Sequence, residues 1–475
     1  MAVTAALVLH APPSHASAVP ELSRASVIRA RGPNAARYVR LRLDVTAYGI
    51  PGRGEIVVDR ASGSFVRRFD AGPVSEREGW DGTHAWRADA TGMPRLQGNV
   101  DERGTILVWS HLLAPRAQPC GCGSRTPEIA VDSATANVTA VVQHVGQTTE
   151  RTTFAGYRAV REFVVPSTIA DTSDSGTWEA RVRSVETPAA VAASTFAPPA
   201  PPHDFALTGT LGGRLMSPFA VPVVAVSVNG GEPMRFLLDT GGQNVITPDA
   251  ARRAGLQVVG NGAVGGAGAG LAGVRYATAR SVAVGPAIMR DQPFVVLDLG
   301  KAAPFDGIVG YELLARFALN LDFEHERYEL ATDGRAFAGA GVEVPFVFDD
   351  RQPQIDGALD GVPGVMTIDT GSESGVDVNA PFVLAHDLRT HYHAVTSDFP
   401  IAGVGGPVRA YFARGEELRL GALRIADVPL LLTDALAGAE ANPTIAANIG
   451  VRVLRRYTLV VDYPRGVIRF ETPSR

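Results

Sequence analysis

The segment Phe236-Leu237-Leu238-Asp239-Thr240-Gly241-Gly242 returns 130 residues later as Met366-Thr367-Ile368-Asp369-Thr370-Gly371-Ser372. In each copy an aspartate ends an apolar run and a glycine follows where the chain must turn. A hairpin dipeptide precedes each copy: Asn229-Gly230 in the first and Asp360-Gly361 in the second. A helix-opening signal follows each. Thr247 is placed to cap, Pro248 takes the first helical position and Gly255 closes the turn, while Asn379 and Pro381 open the second. Further on, Ile308-Val309-Gly310 matches Asn448-Ile449-Gly450, and Leu313–Phe317 matches Val453–Tyr457 without a gap. Asp322 and Asp462 then stand equally far beyond the two glycines, each in an apolar strand. Landmarks repeated in one order mark an internal duplication of a unit of about 130 residues. Such a chain must fold into two like halves.

Two related copies can pack about a pseudo-two-fold axis, and that would bring Asp239 and Asp369 into contact. Two carboxylates a few Å apart resist double ionisation, so the pair shares a proton. A water held between them loses its proton to the ionised member while the protonated member polarises a carbonyl, which is general acid–base hydrolysis of an amide. Thr240 and Thr370 are expected to bond across the axis and lock the two turns together. The other reading of the two aspartates is a pair of ordinary turn residues on an inactive scaffold.

The doubled Asp-Thr-Gly, with the glycine segments at Gly310 and Gly450, resembles the retropepsin-like aspartic proteases in the two-lobed, single-chain form that pepsin also has. The likeness runs over roughly residues 205 to 472. It implies Asp239 and Asp369 as the catalytic pair, with Thr240, Gly241, Thr370 and Gly371 as supporting turns. A hydroxyl residue after Asp-Thr-Gly often bonds the carboxylate in that family; Ser372 fits this role and Gly242 cannot, so an asymmetric dyad is expected. The family also implies a glycine-rich flap over the substrate, and Gly403-Val404-Gly405-Gly406 is the second copy's counterpart of Ala263-Val264-Gly265-Gly266.

The expected fold is mainly β: a two-lobed aspartic-protease fold with pseudo-two-fold symmetry, plus an N-terminal antiparallel β domain. Lobe 1 is expected over 205–340, lobe 2 over 341–475, and a Pro-rich linker over 188–204, where Pro198-Pro199-Ala200-Pro201-Pro202 excludes helix and central strand. Residues 19–187 read as β-rich, from the alternation in Val39–Thr46 and the hairpin signal of Glu55–Asp59 and Phe65–Phe69. Their strand rhythm and Trp80 and Trp86 resemble the curved half-barrels of periplasmic lipoprotein carriers, which implies an apolar ligand or lipoprotein as a partner of that domain. All four tryptophans lie in this region and are expected to fill a core. The apolar stretch Ala2–Ala11 with Ala16-Ser17-Ala18 reads as an export signal over residues 1–18 lacking its positive start, the first basic residue being Arg24, and the other reading is an Ala/Pro-rich disordered tail. An exported, periplasmic or secreted protein is expected.

Composition excludes other classes. Net charge is −5, from 44 basic and 49 acidic residues, so no basic surplus points to nucleic acid. No apolar run reaches the roughly 20 residues that a membrane-spanning helix needs. Cys120 and Cys122 offer at most two soft ligands, and His391 and His393 lack a partner pattern, so no metal is expected. Gly260-Asn261-Gly262-Ala263-Val264-Gly265 matches a dinucleotide fingerprint, but no acidic residue lies between Asp249 and Asp291 to hold a ribose. No cofactor is expected. The two functional readings are a monomeric aspartic endopeptidase acting on peptides or proteins, and a carrier that uses the N-terminal domain for an apolar ligand.

Overall fold

The structure is a computed structural model, described over residues 25–115, 123–209, 211–216, 219–300, 303–397, 400–401 and 403–472. The candidate export signal and both cysteines lie outside the described residues. The N-terminal part is built on an eleven-stranded antiparallel sheet. Its central strand, Tyr38–Ala47, alternates as expected and buries Val39, Leu41, Leu43, Val45 and Ala47. The strand pairs residue for residue with Ile50–Asp59, which pairs in turn with Phe65–Asp70. A 14-residue helix, Val100–Leu113, packs on this sheet and was not anticipated from the apolar pattern. Its start is nevertheless written in the chain: the Asn99 side chain accepts the Asp101 and Glu102 amides, and both acids sit in the first turn. Trp80, Trp86, Trp109 and Trp178 are all buried, in keeping with a core role.

The Pro-rich stretch has no strand, but it is not a free spacer. Phe196 is buried beside Trp86, and its carbonyl accepts the indole N–H at 2.8 Å. Asp204 ends the stretch against Arg316, whose guanidinium also reaches the Thr91 hydroxyl at 2.7 Å. The Arg316 side chain is fully buried. On the other side Arg95 binds the Asp350 carbonyl at 2.8 Å, and the Asn99 amide reaches Gln354 at 3.0 Å. The N-terminal part is therefore fastened to both halves of the remainder.

Among the described residues that remainder holds three sheets, and the duplication is visible in each. One eight-stranded sheet takes its strands from the first copy and a second eight-stranded sheet takes them from the second. Met234–Leu238 and Val362–Ile368 carry the two motifs, and each pairs in parallel with the strand leading to its glycine segment. Both hairpin dipeptides adopt left-handed backbone, Asn229 at φ 54° and Asp360 at φ 46°. Thr247 caps Pro248–Arg253 by accepting the Ala250 amide. The third sheet has six strands, three from each copy, joined at its centre by Ala318–Asp322 against Thr458–Asp462. Leu319, Leu321, Leu459 and Val461 on these strands belong to one continuous core that spans both copies. Among the described residues no helix is long and apolar enough to cross a membrane.

Replacing Arg316 by Leu is expected to destabilise the protein by about 3–5 kcal/mol, because it strands Asp204 without its buried partner. Urea unfolding of the variant checks this, and an unchanged midpoint would contradict it.

Candidate active site

Each motif strand ends at its aspartate because the next two residues leave the sheet. The Asp239 amide bonds the Val309 carbonyl and the Asp369 amide bonds the Ile449 carbonyl, both at 3.0 Å. The chain then turns, and Gly241 and Gly371 point their amides back at Oδ1 of their own aspartates, at 2.7 and 2.8 Å. The threonines cross the axis as expected. Thr240 N–H donates to Thr370 Oγ1 at 3.0 Å, and Thr370 N–H donates to Thr240 Oγ1 at 2.9 Å. Each hydroxyl passes its own proton on to the opposite strand, Thr240 to the Ile368 carbonyl and Thr370 to the Leu238 carbonyl, at 2.7 and 2.8 Å. Both threonines are fully buried. Glycine is required beside them for space: a Cβ on Gly371 would lie 2.6 Å from the Asp239 carboxyl carbon, and one on Gly241 would lie 2.9 Å from that of Asp369.

The two carboxyls lie side by side, each against the glycine of the other motif. Burial, and then the charge of Asp369, hold the Asp239 carboxyl well above the usual carboxylate range, against the opposing pull of the Gly241 and Gly371 amides. Asp369 is differently equipped. Besides the Gly371 amide it accepts the Asn448 side-chain amide on Oδ2 at 2.8 Å. The Asn448 amide is a side-chain donor added at Asp369, whereas Asp239 has at the matching position the apolar side chain of Ile308. Asp239 is thus the member held above the carboxylate range, and Asn448 gives Asp369 a side-chain donor that Asp239 lacks.

The asymmetry foreseen from Ser372 exists, but Ser372 does not create it. Its hydroxyl lies 2.7 Å from that of Ser374 and faces Asp377, and Asn448 fills the role expected of it at the Asp369 carboxylate. The signal was present in the repeat: Asn448 stands where the first copy has Ile308, so the second glycine segment is not apolar-apolar-Gly. Two further residues outside the motif hold the turn of Asp239, since Tyr463 donates to the Thr240 carbonyl at 2.8 Å and the Gln352 amide to the Gly241 carbonyl at 2.6 Å.

The dyad faces a cavity of about 1330 Å³. The glycine-rich segments roof it from both sides. Gly268 N–H bonds the Val404 carbonyl at 3.0 Å, Gly270 N–H bonds the Gly405 carbonyl at 2.8 Å, and Ala439 N–H bonds the Gly266 carbonyl at 2.7 Å. Backbone meets backbone so closely that a Cβ on Gly268 would sit 2.3 Å from the Gly406 carbonyl oxygen. The Gly260–Gly265 segment is therefore part of a hairpin, Val259–Val264 paired with Ala272–Val284, and not a nucleotide loop. The N-terminal part supplies a further wall through Glu102, Gly146, Gln147 and Ser175. Among the described residues no cluster of three or more His, Cys, Asp or Glu is arranged to hold a metal ion.

The raised Asp239 carboxyl has a consequence for stability. The folded state binds that proton more tightly than the unfolded chain, whose carboxyl titrates near 3.9, so its contribution is fully present below that pH and lost as pH rises. Asp239→Asn is expected to unfold at a higher temperature than the native protein at pH 7, with the difference closing towards pH 3. Thermal unfolding across that range checks it, and an equal or lower melting temperature at pH 7 contradicts it.

Residues 224–313 match the family model described as Aspartyl protease. No curated protein matches the chain. Among solved structures, an aspartic proteinase from Irpex lacteus is 14% identical and covers 56% of this chain and 97% of its own, at a TM-score of 0.38. That level of likeness carries no weight of its own. With the matched segment running through Asp239 and Gly310, and a second copy of it folded against the first, the chain carries the mainly β fold of an aspartic protease.

Proposed function

We propose that the protein is an aspartic endopeptidase, and the observation that carries this reading is the close approach of the Asp239 and Asp369 carboxyls, each against the glycine of the other motif, at the floor of a roofed cleft. A water bound between the two carboxyls loses a proton to the Asp369 carboxylate as its oxygen attacks the peptide carbonyl carbon. The Asp239 carboxyl donates its proton to the carbonyl oxygen, giving a neutral tetrahedral diol. Collapse of the diol breaks the C–N bond. The proton taken up by Asp369 goes to the leaving nitrogen, a diol hydroxyl returns one to Asp239, and the dyad is restored. Closure of the two glycine segments over the cleft excludes bulk water and strengthens each of these interactions.

The second reading, a carrier of an apolar ligand, would use the N-terminal sheet. The face against which Val100–Leu113 packs carries the Arg67–Glu78 pair at 2.9 Å and the Arg87–Glu102 pair at 2.6 Å. Arg67 is sandwiched there near the rings of Trp109 and Trp178. Charged groups in that position suit an apolar ligand poorly, so we favour the enzyme. We further propose that it acts outside the cytoplasm as a monomer, since one chain supplies both aspartates.

Incubation with a diverse peptide mixture tests the reading. Asp239→Asn and Asp369→Asn should each lower kcat/KM by about 10²–10⁴-fold, the usual contribution of a positioned acid or base. Mixing the two variants should restore nothing, and activity per molecule should stay constant on dilution. Recovery in the mixture would place the working dyad between chains. The rate should follow a bell whose limbs belong to the pair, with the basic limb above the ordinary carboxylate range because Asp239 retains its proton there. A flat profile from pH 3 to 8 would count against the dyad.

A further inference from the structure

The two walls of the cleft flanking the dyad occupy equivalent places in the duplicated fold, yet they differ in chemistry. In the first copy Val245 pairs with Ile308 in the sheet, and both line the cleft beside Leu297. In the second copy the pair at the same place is Asp377 with Asn448. Asp377 is 2% exposed and Glu440, which lines the same wall, is 5% exposed. Ser374 donates to Asp377 Oδ2 at 2.5 Å, but Asp377 Oδ1 and Glu440 Oε2 have no hydrogen-bond partner among the described residues. Neither residue enters an ion pair among the described residues. Burial above all pushes Asp377 up to about 7 and Glu440 up to about 8, and the neighbouring Asp369 adds to both. A buried carboxyl oxygen without a donor costs free energy unless something arrives to satisfy it.

The need is for a donor-rich positive group on a stem that can pass along the cleft wall. We propose that Asp377 and Glu440 form a specificity subsite for an arginine or lysine side chain next to the scissile bond, opposite an apolar subsite formed by Val245, Leu297 and Ile308. The substrates would then be peptides that carry a basic residue on one flank of the cut and an apolar residue on the other. This rests on the endopeptidase reading and deepens it. The guanidinium or ammonium meets the two unpartnered oxygens, and its charge offsets the repulsion that Asp377 and Glu440 feel from Asp369 and from each other. The side chains of Val245, Leu297 and Ile308 offer no acceptor and take the apolar neighbour by burial. Asn448 links subsite to chemistry, because it pairs with Asp377 in the sheet and donates to Asp369.

The test is a matched peptide series with arginine, lysine, citrulline, leucine or glutamate placed in turn on each flank of the cut bond. Citrulline keeps the shape of arginine and removes the charge. Arginine and lysine on one flank are expected to exceed citrulline by at least about tenfold in kcat/KM, with glutamate poorest. In Glu440→Gln, and separately in Asp377→Asn, that ratio should fall towards unity. Equal cleavage of the arginine and citrulline peptides by the native protein would overturn the subsite and leave the protease reading standing. Should no peptide be cut, the protease reading falls instead. Binding then decides the subsite: an uncleavable hydroxyl-bearing peptide with arginine should bind at least about tenfold tighter than its citrulline twin by calorimetry, and equal binding would overturn the proposal. Thermal unfolding of each variant separates a lost preference from a lost fold.

Discussion

The crossed threonine bonds are the constraint on which the rest of the structure depends. Four hydrogen bonds, fully buried, tie the turn after Asp239 to the turn after Asp369. At a net 0.5–1.5 kcal/mol each they contribute roughly 2–6 kcal/mol, a sizeable share of the total stability of an ordinary domain. Opposing them is the cost of placing two carboxyls side by side: two unit charges about 4 Å apart repel by about 4 kcal/mol at an effective dielectric of 20. Retaining one proton removes that repulsion. The threonines fix the separation and the proton makes it tolerable, so the same geometry that is costly for two carboxylates is favourable for an acid and its conjugate base. The six-stranded sheet and the core shared by both copies then hold the axis from behind.

A symmetric frame cannot by itself give the two aspartates different surroundings. That difference comes from residues at which the copies have diverged. Asn448 replaces the counterpart of Ile308 and gives Asp369 a second donor, and Tyr463 replaces the counterpart of Phe323 and ties down the carbonyl of Thr240. Asn448 lies in a strand whose register the duplication preserves, so it alters the chemistry at an equivalent place in the sheet, and Tyr463 directly follows the strand Thr458–Asp462. The same divergence reaches outward into Asp377 and Val245. Backbone symmetry and side-chain asymmetry thus divide the work between holding the dyad and polarising it.

The duplication made the two-lobed fold, the dyad and the crossing threonines legible, because each depends on residues that recur in fixed order. The hairpins at Asn229 and Asp360 and the cap at Thr247 were legible too, since left-handed turns and capping demand particular residue types. What escaped was set by contacts distant in sequence. The Ser372 hydroxyl was available to Asp369, but Ser374 and Asp377 sit nearer, and an amide from Asn448, 79 residues away, takes the place. The helix Val100–Leu113 was hidden because twelve of its fourteen residues are buried, which erases the one-sided apolar stripe that marks a surface helix. Proline in the 188–204 stretch argued against a strand there but gave no hint that Phe196, closing the short 3-10 turn Ala193–Thr195, would be held by Trp86.

The N-terminal part completes the cleft by the simplest means available to it, backbone pairing at a sheet edge. Tyr48 and Ser175 lie at turns joining neighbouring strands of the eleven-stranded sheet, and their carbonyls accept the amides of Asn261 and Ala263 at 2.9 Å each. Those two amides belong to the outer strand of the roofing hairpin, Val259–Val264, and Tyr48 also stacks against Tyr276 in the neighbouring strand at 5.3 Å. An isolated hairpin rich in glycine loses much conformational entropy on ordering and has little side-chain burial to offset it. Here both of its edges are engaged, one by its own partner strand and one by the N-terminal turns, while its tip rests on the second copy. The hairpin therefore opens only by releasing contacts to its partner strand, to the N-terminal turns and to the second copy. The position of the roof over Asp239 and Asp369 is a property of the whole chain, not of the duplicated halves alone.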